Sequence, residues 1–269
     1  MYRVGLYSAG AANREFGEFS GGAVTLGVLG YDFGPALGVR EALLTGNYVY
    51  QHPDADNTFT RQLEHVLSLH FKLEADKWGL RADVSDANGY LGQSDMWGAM
   101  AMPFYNITDK LQAVTRYTYI DSENPGDTYF DIDGEEHDDA PVQGLSKNNY
   151  NVTAMYERGP VSVRLAWSWR SKYLQSTNSN GTNGNYDYFS APGVSAMKDI
   201  ALPIYGDEYG QLDFGTTWRP NEKLALSLEL QNVTNEITRT LMGGYPGGTT
   251  IRSWFVSDRR VNLSTRYNF

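Results

Sequence analysis

Apolar and polar side chains alternate with a period of two through stretch after stretch of this chain, and that constrains its fold more than any other feature. Val261, Leu263, Thr265, Tyr267 and Phe269 fall on one side of an extended segment, with Asn262, Ser264, Arg266 and Asn268 on the other. Leu224, Leu226, Leu228 and Leu230 alternate with Ala225, Ser227, Glu229 and Gln231. The same pattern sets Val161, Val163, Leu165, Trp167 and Trp169 against Ser162, Arg164, Ala166, Ser168 and Arg170. It recurs around residue 212, over 150–157 and 111–119, and in Leu67–Leu73 and Trp78–Val84. Successive side chains on a strand point to opposite faces, so these segments are predicted strands with one apolar and one wet face. Segments 2–8, 22–33, 42–51 and 95–106 complete the set, and in 22–33 and 95–106 both faces are apolar, which leaves their orientation open.

The links between these segments alternate in length. Short ones (75–77, 106–109, 157–160 and 219–222) take turns with long polar ones over roughly 9–20, 52–63, 86–94, 120–147, 174–207 and 236–253. Short turns at one end and long loops at the other are the asymmetry of a transmembrane β-barrel. The expectation is one all-β domain over residues 1–269: a closed antiparallel barrel of about twelve strands, with periplasmic turns, extracellular loops and both termini on the periplasmic side. Tyr31, Phe33, Trp78, Phe104, Tyr105, Tyr156, Trp218, Tyr267 and Phe269 lie near the short turns, where an interfacial girdle belongs.

Composition narrows the alternatives. No run approaches the roughly 20 apolar residues of a transmembrane helix. A barrel escapes that requirement because only every second residue must be apolar, which suits a mean hydropathy of -0.47. There is no Cys, so disulfides, thiol catalysis and thiolate metal sites are excluded together. A net charge of -10 argues against nucleic acid as a partner. Met1 is followed at once by strand-like Tyr2-Arg3-Val4-Gly5-Leu6-Tyr7, so an exported mature form is expected.

Two sets of motifs carry family resemblances. The first set is Glu15-Phe-Gly-Glu-Phe-Ser-Gly-Gly22, Trp78-Gly-Leu-Arg-Ala-Asp83, Gln93-Ser-Asp-Met-Trp-Gly98 and Thr108-Asp-Lys-Leu-Gln112. With these motifs the chain from about 16 to 120 resembles the phosphate-selective porin family, which makes 1–130 a porin-like half. Gly144-Leu-Ser-Lys-Asn-Asn-Tyr-Asn-Val152, Trp169-Arg-Ser-Lys-Tyr173, Tyr209-Gly-Gln-Leu-Asp213, Leu230-Gln-Asn-Val-Thr-Asn-Glu236 and Tyr267-Asn-Phe269 make residues 140–269 resemble the last barrel strands of TonB-dependent receptors. Both resemblances imply the outer membrane of a Gram-negative bacterium. They imply outer-membrane lipid and lipopolysaccharide as surroundings and the barrel assembly machinery as a partner, with Tyr267 and Phe269 as the C-terminal insertion signal. The chain departs from both patterns. It is shorter than the porins and lacks the segment expected to hold their basic constriction, and it carries neither a plug nor a TonB-interacting segment. Energised transport is therefore not expected, and the two halves read as a chimera of two ancestries, joined by recombination or by engineering.

The functional signal lies on the wet faces. Lys72, Arg81, Asp83, Arg116, Glu157, Arg164, Arg170, Asp213, Glu229 and Arg266 are the candidate pore-lining residues. Confined charges must be paired or hydrated. Either they line a water-filled channel for ions and small polar solutes, or they cross-pair and close the lumen of a structural barrel. His52, His65, His70 and His137 are too scattered for a metal site, and no Ser–His–acid constellation or Gly-x-Ser-x-Gly motif is present. No enzymatic activity, cofactor or metal is expected. The acidic run from Asp121 to Asp139 contains Asp131-Ile-Asp133-Gly134, which resembles the start of a calcium loop, but the spacing fails further on. A solvated external loop is the expected role of that run.

Overall fold

The computed structural model describes residues 1–8, 22–53, 62–122, 129–131, 135–138, 140–177 and 201–268. The first half of the chain forms β1 (Tyr2–Ser8), β2 (Ala23–Asp32), β3 (Glu41–Gln51), β4 (Leu63–Glu74), β5 (Trp78–Gly89), β6 (Met96–Thr108) and β7 (Leu111–Ser122). A hairpin follows, β8 (Tyr129–Phe130) and β9 (Glu136–His137), then β10 (Asn148–Arg158), β11 (Val161–Arg170), β12 (Tyr173–Ser176) and β13 (Ile204–Gly206). The chain ends with β14 (Tyr209–Trp218), β15 (Leu224–Gln231), β16 (Ile237–Tyr245), β17 (Gly248–Val256) and β18 (Arg260–Tyr267). A short helix, α1 (Gly34–Leu37), sits in the turn between β2 and β3, where Asp32 Oδ1 accepts hydrogen bonds from the Gly34 and Ala42 amides at 2.8 and 2.9 Å.

Twelve strands form one antiparallel sheet in the order β1-β2-β3-β4-β5-β6-β7-β10-β11-β14-β15-β18. Its members coincide with the segments that alternate in the sequence. In such a meander every second connection falls at the same end, so the short links share one end and the long ones the other. The remaining strands belong to the long connections: a four-stranded sheet, β12-β13-β16-β17, and the β8–β9 hairpin. The sequence pattern did not announce them, because they are short or carry irregular registers. The most completely buried apolar residues also include several from these connections, namely Ala140, Leu174, Leu202 and Ile204. Asn232 opens the β15–β16 connection with φ +54° and is buried at 3 % exposure; its side-chain amide donates to the Glu236 and Asp258 carbonyls, and its Oδ1 accepts from the Glu236 amide.

Register carries one apolar face across the whole sheet. Leu29, Gly46, Leu69, Val84 and Ala99 are successive partners from β2 to β6. Ala113, Ala154, Leu165, Phe214, Leu230 and Val261 continue that face from β7 to β18. The two ambiguous segments are now oriented. β2 gives Leu29 and Tyr31 to the apolar face and leaves Val24, Leu26 and Val28 on the other. β6 gives it Trp97, Ala99, Ala101, Pro103 and Tyr105, leaving Met96, Met100, Met102 and Phe104 opposite. The apolar face is exposed across its width, from Val4 at 84 % on β1 to Leu263 at 77 % on β18.

Aromatic residues mark both ends of that face. Tyr31, Trp78, Tyr105, Tyr156, Trp218 and Tyr267 line the end with the short turns, and every one is on the apolar face. Phe104, expected among them, points to the opposite face, where it packs over Gly79; a Cβ at Gly79 would collide with its ring. A second belt, unexpected from the sequence, follows the end with the long connections. There Trp97 meets Tyr119 at 5.0 Å, Tyr117 meets Tyr150 at 4.8 Å, and Tyr150 meets Trp169 at 5.3 Å between ring centroids. Leu67, Leu69, Val84, Val152, Leu165, Leu228 and Leu263 fill the band between the belts.

Among the described residues, no hydrogen-bonded pairing joins β1 to β18. The structure is thus an antiparallel sheet with two edges, where the sequence predicts a closed ring. Every pairing that forms links neighbours in the meander; closure would link the two strands farthest apart in the chain, and it is the pairing with the largest loop-closure cost. Phe269 and the Glu15–Gly21 part of the porin-like motif lie outside the described residues, as do Glu123, Asp127, Asp133 and Asp139 of the acidic run.

Candidate functional site: the polar face of the sheet

The ten residues singled out from the sequence all share the face opposite the apolar one. Lys72 on β4 stands directly across from Arg81 on β5, which stands across from Met102 on β6. The register between Ala101↔Tyr117 and Phe104↔Val114 sets Met102 opposite Arg116 on β7, so Lys72, Arg81 and Arg116 form one basic row. Farther along the sheet, Arg164, Gly215, Glu229 and Asn262 are successive partners from β11 to β18. Asp213 lies two residues above this row, Glu157 is on β10 across from Ser162, and Arg266 is on β18 across from Ala225. Arg170, opposite Asn149 and Tyr209, sits at the end with the long connections.

These charges differ in how far they are compensated. Lys72 Nζ is 2.5 Å from Glu41 Oε2 and 3.6 Å from Glu74 Oε2, and Arg40 adds a contact to Glu74 at 2.8 Å. His70 Nδ1 lies 2.5 Å from Asp83 Oδ2, and Ser85 donates to Asp83 Oδ1 at 2.9 Å. Glu41 was not singled out from the sequence, and His70, read there as a scattered histidine, was left out of the pore-lining set although both occupy the wet parity of their strands. The pairing therefore concentrates on β3, β4 and β5. Arg81, Arg116, Arg164 and Arg266 form no ion pair among the described residues, and neither does Glu157. Asp213 accepts from Gln211 Nε2 at 2.6 Å and from the Asn232 amide at 3.0 Å. Arg170 places its guanidinium 4.7 Å from the Tyr173 ring centroid and leaves Nε without a hydrogen-bond partner.

A cleft of about 460 Å³ opens on this face over β10, β11, β14 and β15. Glu157, Asp213 and Glu229 border it with a single cation, Arg164. On β4 to β7 the row of Lys72, Arg81 and Arg116 thus lies beside Glu74 and Asp83, and on β10 to β15 Glu157, Asp213 and Glu229 share the face with Arg164 and Arg170. The small side chains Ser162, Ala166, Gly215 and Thr217 leave the space between the acids open. Among the described residues, no group of three or more metal-ligating side chains is assembled, and His65 and His70 fall on opposite faces. Tyr267 occupies the apolar face at the short-turn end.

Comparison with known protein families, characterised proteins and solved structures finds no match for this chain.

Proposed function

We propose that this chain is an outer-membrane β-barrel of Gram-negative type, closed by pairing of β1 with β18, which lets ions and small polar solutes diffuse passively through a lumen lined by the polar face. One observation carries the reading: an exposed apolar face, continuous over twelve strands and bounded at both ends by aromatic belts. Water-soluble proteins rarely leave more than a few hundred Å² of contiguous apolar surface exposed, whereas a bilayer demands such a band. Its height fits. From Trp97 to Tyr105 the strand advances about 27 Å at the usual rise, or roughly 20 Å along the membrane normal once tilted. The order of strands also supports closure, because β1 and β18 run antiparallel and an even strand number is what a single-chain barrel needs. Closure would remove two open edges that lipid does not tolerate.

A structural barrel with a closed, salt-bridged lumen is the second reading, favoured by the Lys72–Glu41–Glu74 and His70–Asp83 pairs. Those pairs occupy only one arc, and Arg81, Arg116, Arg164 and Arg266 stay unpaired among the described residues, so passage of hydrated solutes fits the face better. Purified protein added to a planar bilayer is expected to give discrete current steps. Stable insertion without current would replace the pore with the closed barrel, and failure to insert would reject both.

A further inference from the structure

We infer that the long-connection end holds a binding cleft for an acidic saccharide, built from the β8–β9 hairpin and the four-stranded sheet and independent of conduction through the polar face. The cleft, of about 330 Å³, lies between Tyr129, Asp131 and His137 of the hairpin and Lys172, Tyr205 and Tyr245 on the other side. It falls at the lower end of the size range of small-molecule sites.

Two glycines let the walls approach closely. A Cβ at Gly243 would press on the Tyr205 ring at 2.8 Å. Gly244 has φ +80°, which favours glycine, and a Cβ there would press on Leu202 at 2.7 Å and come within 3.3 Å of the Asp131 backbone, so the missing side chain eases the close approach of hairpin and sheet. The hairpin wall is itself fixed: the Tyr129 and His137 rings stack at 4.7 Å with an interplanar angle of 11°, and His137 Nε2 lies 3.2 Å from Asp131 Oδ2. Asp131 Oδ1 accepts from the Glu135 amide at 2.9 Å.

The free valences of the lining select the ligand. Asp131 is the acid in the lining, and both of its oxygens are engaged. Lys172 holds its ammonium 5.0 Å from the centre of the Tyr205 ring and has no carboxylate partner among the described residues. The cleft therefore offers, between tyrosine walls, a cation that forms no ion pair among the described residues, while the Asp131 carboxylate is held by the hairpin. A sugar ring suits such walls, because its C–H face lies on aromatic carbon while its hydroxyls meet phenol and backbone groups. A carboxylate on the ring completes the match by pairing with Lys172.

Binding of D-galacturonate and digalacturonate to the whole protein in detergent micelles, followed by saturation-transfer NMR and calorimetry, tests this. D-Galactose and acetate serve as probes of ring and charge alone. The acidic sugars are expected to bind, and more tightly than either control. Lys172→Met is expected to weaken that binding about tenfold or more, the loss that follows from one charge-assisted hydrogen bond. Lys172→Arg should retain most of it, and Tyr129→Ala should weaken both acidic sugars. Bilayer current steps and circular dichroism should be unchanged in the two Lys172 variants, which separates failure of the cleft from failure of the pore. Equal binding of galactose and galacturonate, binding of acetate as strong as that of the sugar acids, indifference to Lys172→Met, or no binding at all would each overturn the assignment.

Discussion

Arginine at Leu69 and Leu165 together is expected to keep the protein out of lipid bilayers. Both positions are on the apolar face near the middle of their strands, and both are exposed. An arginine on the lipid face near the bilayer midplane costs about 2–4 kcal/mol. The two sites are on β4 and β11, far apart in the sheet, so their costs should add to about 4–8 kcal/mol. That is comparable with the whole folding stability of an ordinary domain, about 5–15 kcal/mol. Folding into liposomes, read as protease-resistant protein with heat-shifted gel mobility, should fall to a small fraction of the parent. Arginine at Ser68 and Ser168 supplies the control, since these neighbours carry the opposite parity and face the polar side. That pair should insert nearly as well as the parent. Equal insertion by both double variants would mean that the apolar face does not meet lipid.

Reversing the two unpaired arginines of the basic row should move ion selectivity strongly toward cations. Arg81 and Arg116 flank Met102, two strand spacings apart, which is about 10 Å. Arg81→Glu with Arg116→Glu changes the wall by four charge units. A unit charge about 7 Å from a permeating ion in water contributes roughly 0.6 kcal/mol, close to RT. Screening at 0.15 M reduces that to a little under half. Four units therefore raise cation entry about fivefold and lower anion entry about fivefold, so the cation-to-anion permeability ratio, read as a reversal potential across a salt gradient, moves about 25-fold. The shift should shrink at 1 M salt, where the Debye length is about 3 Å. The parent itself is expected to select weakly at high salt, since its polar face mixes both signs, and to prefer cations at low salt, when the acidic residues of the 121–139 segment are least screened. Strong anion selectivity of the parent at every salt concentration would contradict this balance and favour a phosphate-porin lumen.

The sheet was legible in the sequence because its signal is local. A strand such as Val161–Arg170 declares both of its faces through alternation, and the Glu157–Pro160 link declares a hairpin. The ten charged residues on the polar face followed from the same parity, needing nothing beyond the strand in which each sits. β2 and β6 resisted because Val24, Leu26 and Val28, and Met96, Met100 and Met102, are apolar on the wet side; only pairing with β3 and β5 fixed their orientation. The second aromatic belt was hidden for a different reason. Trp97, Tyr119, Tyr150 and Trp169 are scattered through the sequence, and register alone brings them into a row. The cleft was less legible still. Its residues come from three long connections, with Lys172, Tyr205 and Tyr129 separated by dozens of positions and no periodicity to relate them. Ion pairing was equally beyond reach: Lys72 and Arg81 look alike in sequence, yet only Lys72 meets Glu41.

A sheet with one face in lipid and the other in water leaves a period-two record of accessibility along each strand, and cysteine scanning along β11 reads it out. The parent has no cysteine, so each substitution from Val161 to Arg170 introduces a single reporter. Each variant is folded into liposomes and treated with a membrane-impermeant maleimide, and labelling is compared with that in denaturant. A period of two is expected: cysteines at 162, 164, 166 and 168 label readily, while those at 163, 165 and 167 are protected. Uniform labelling along the strand, or protection of the 162, 164, 166 and 168 set instead, would contradict it.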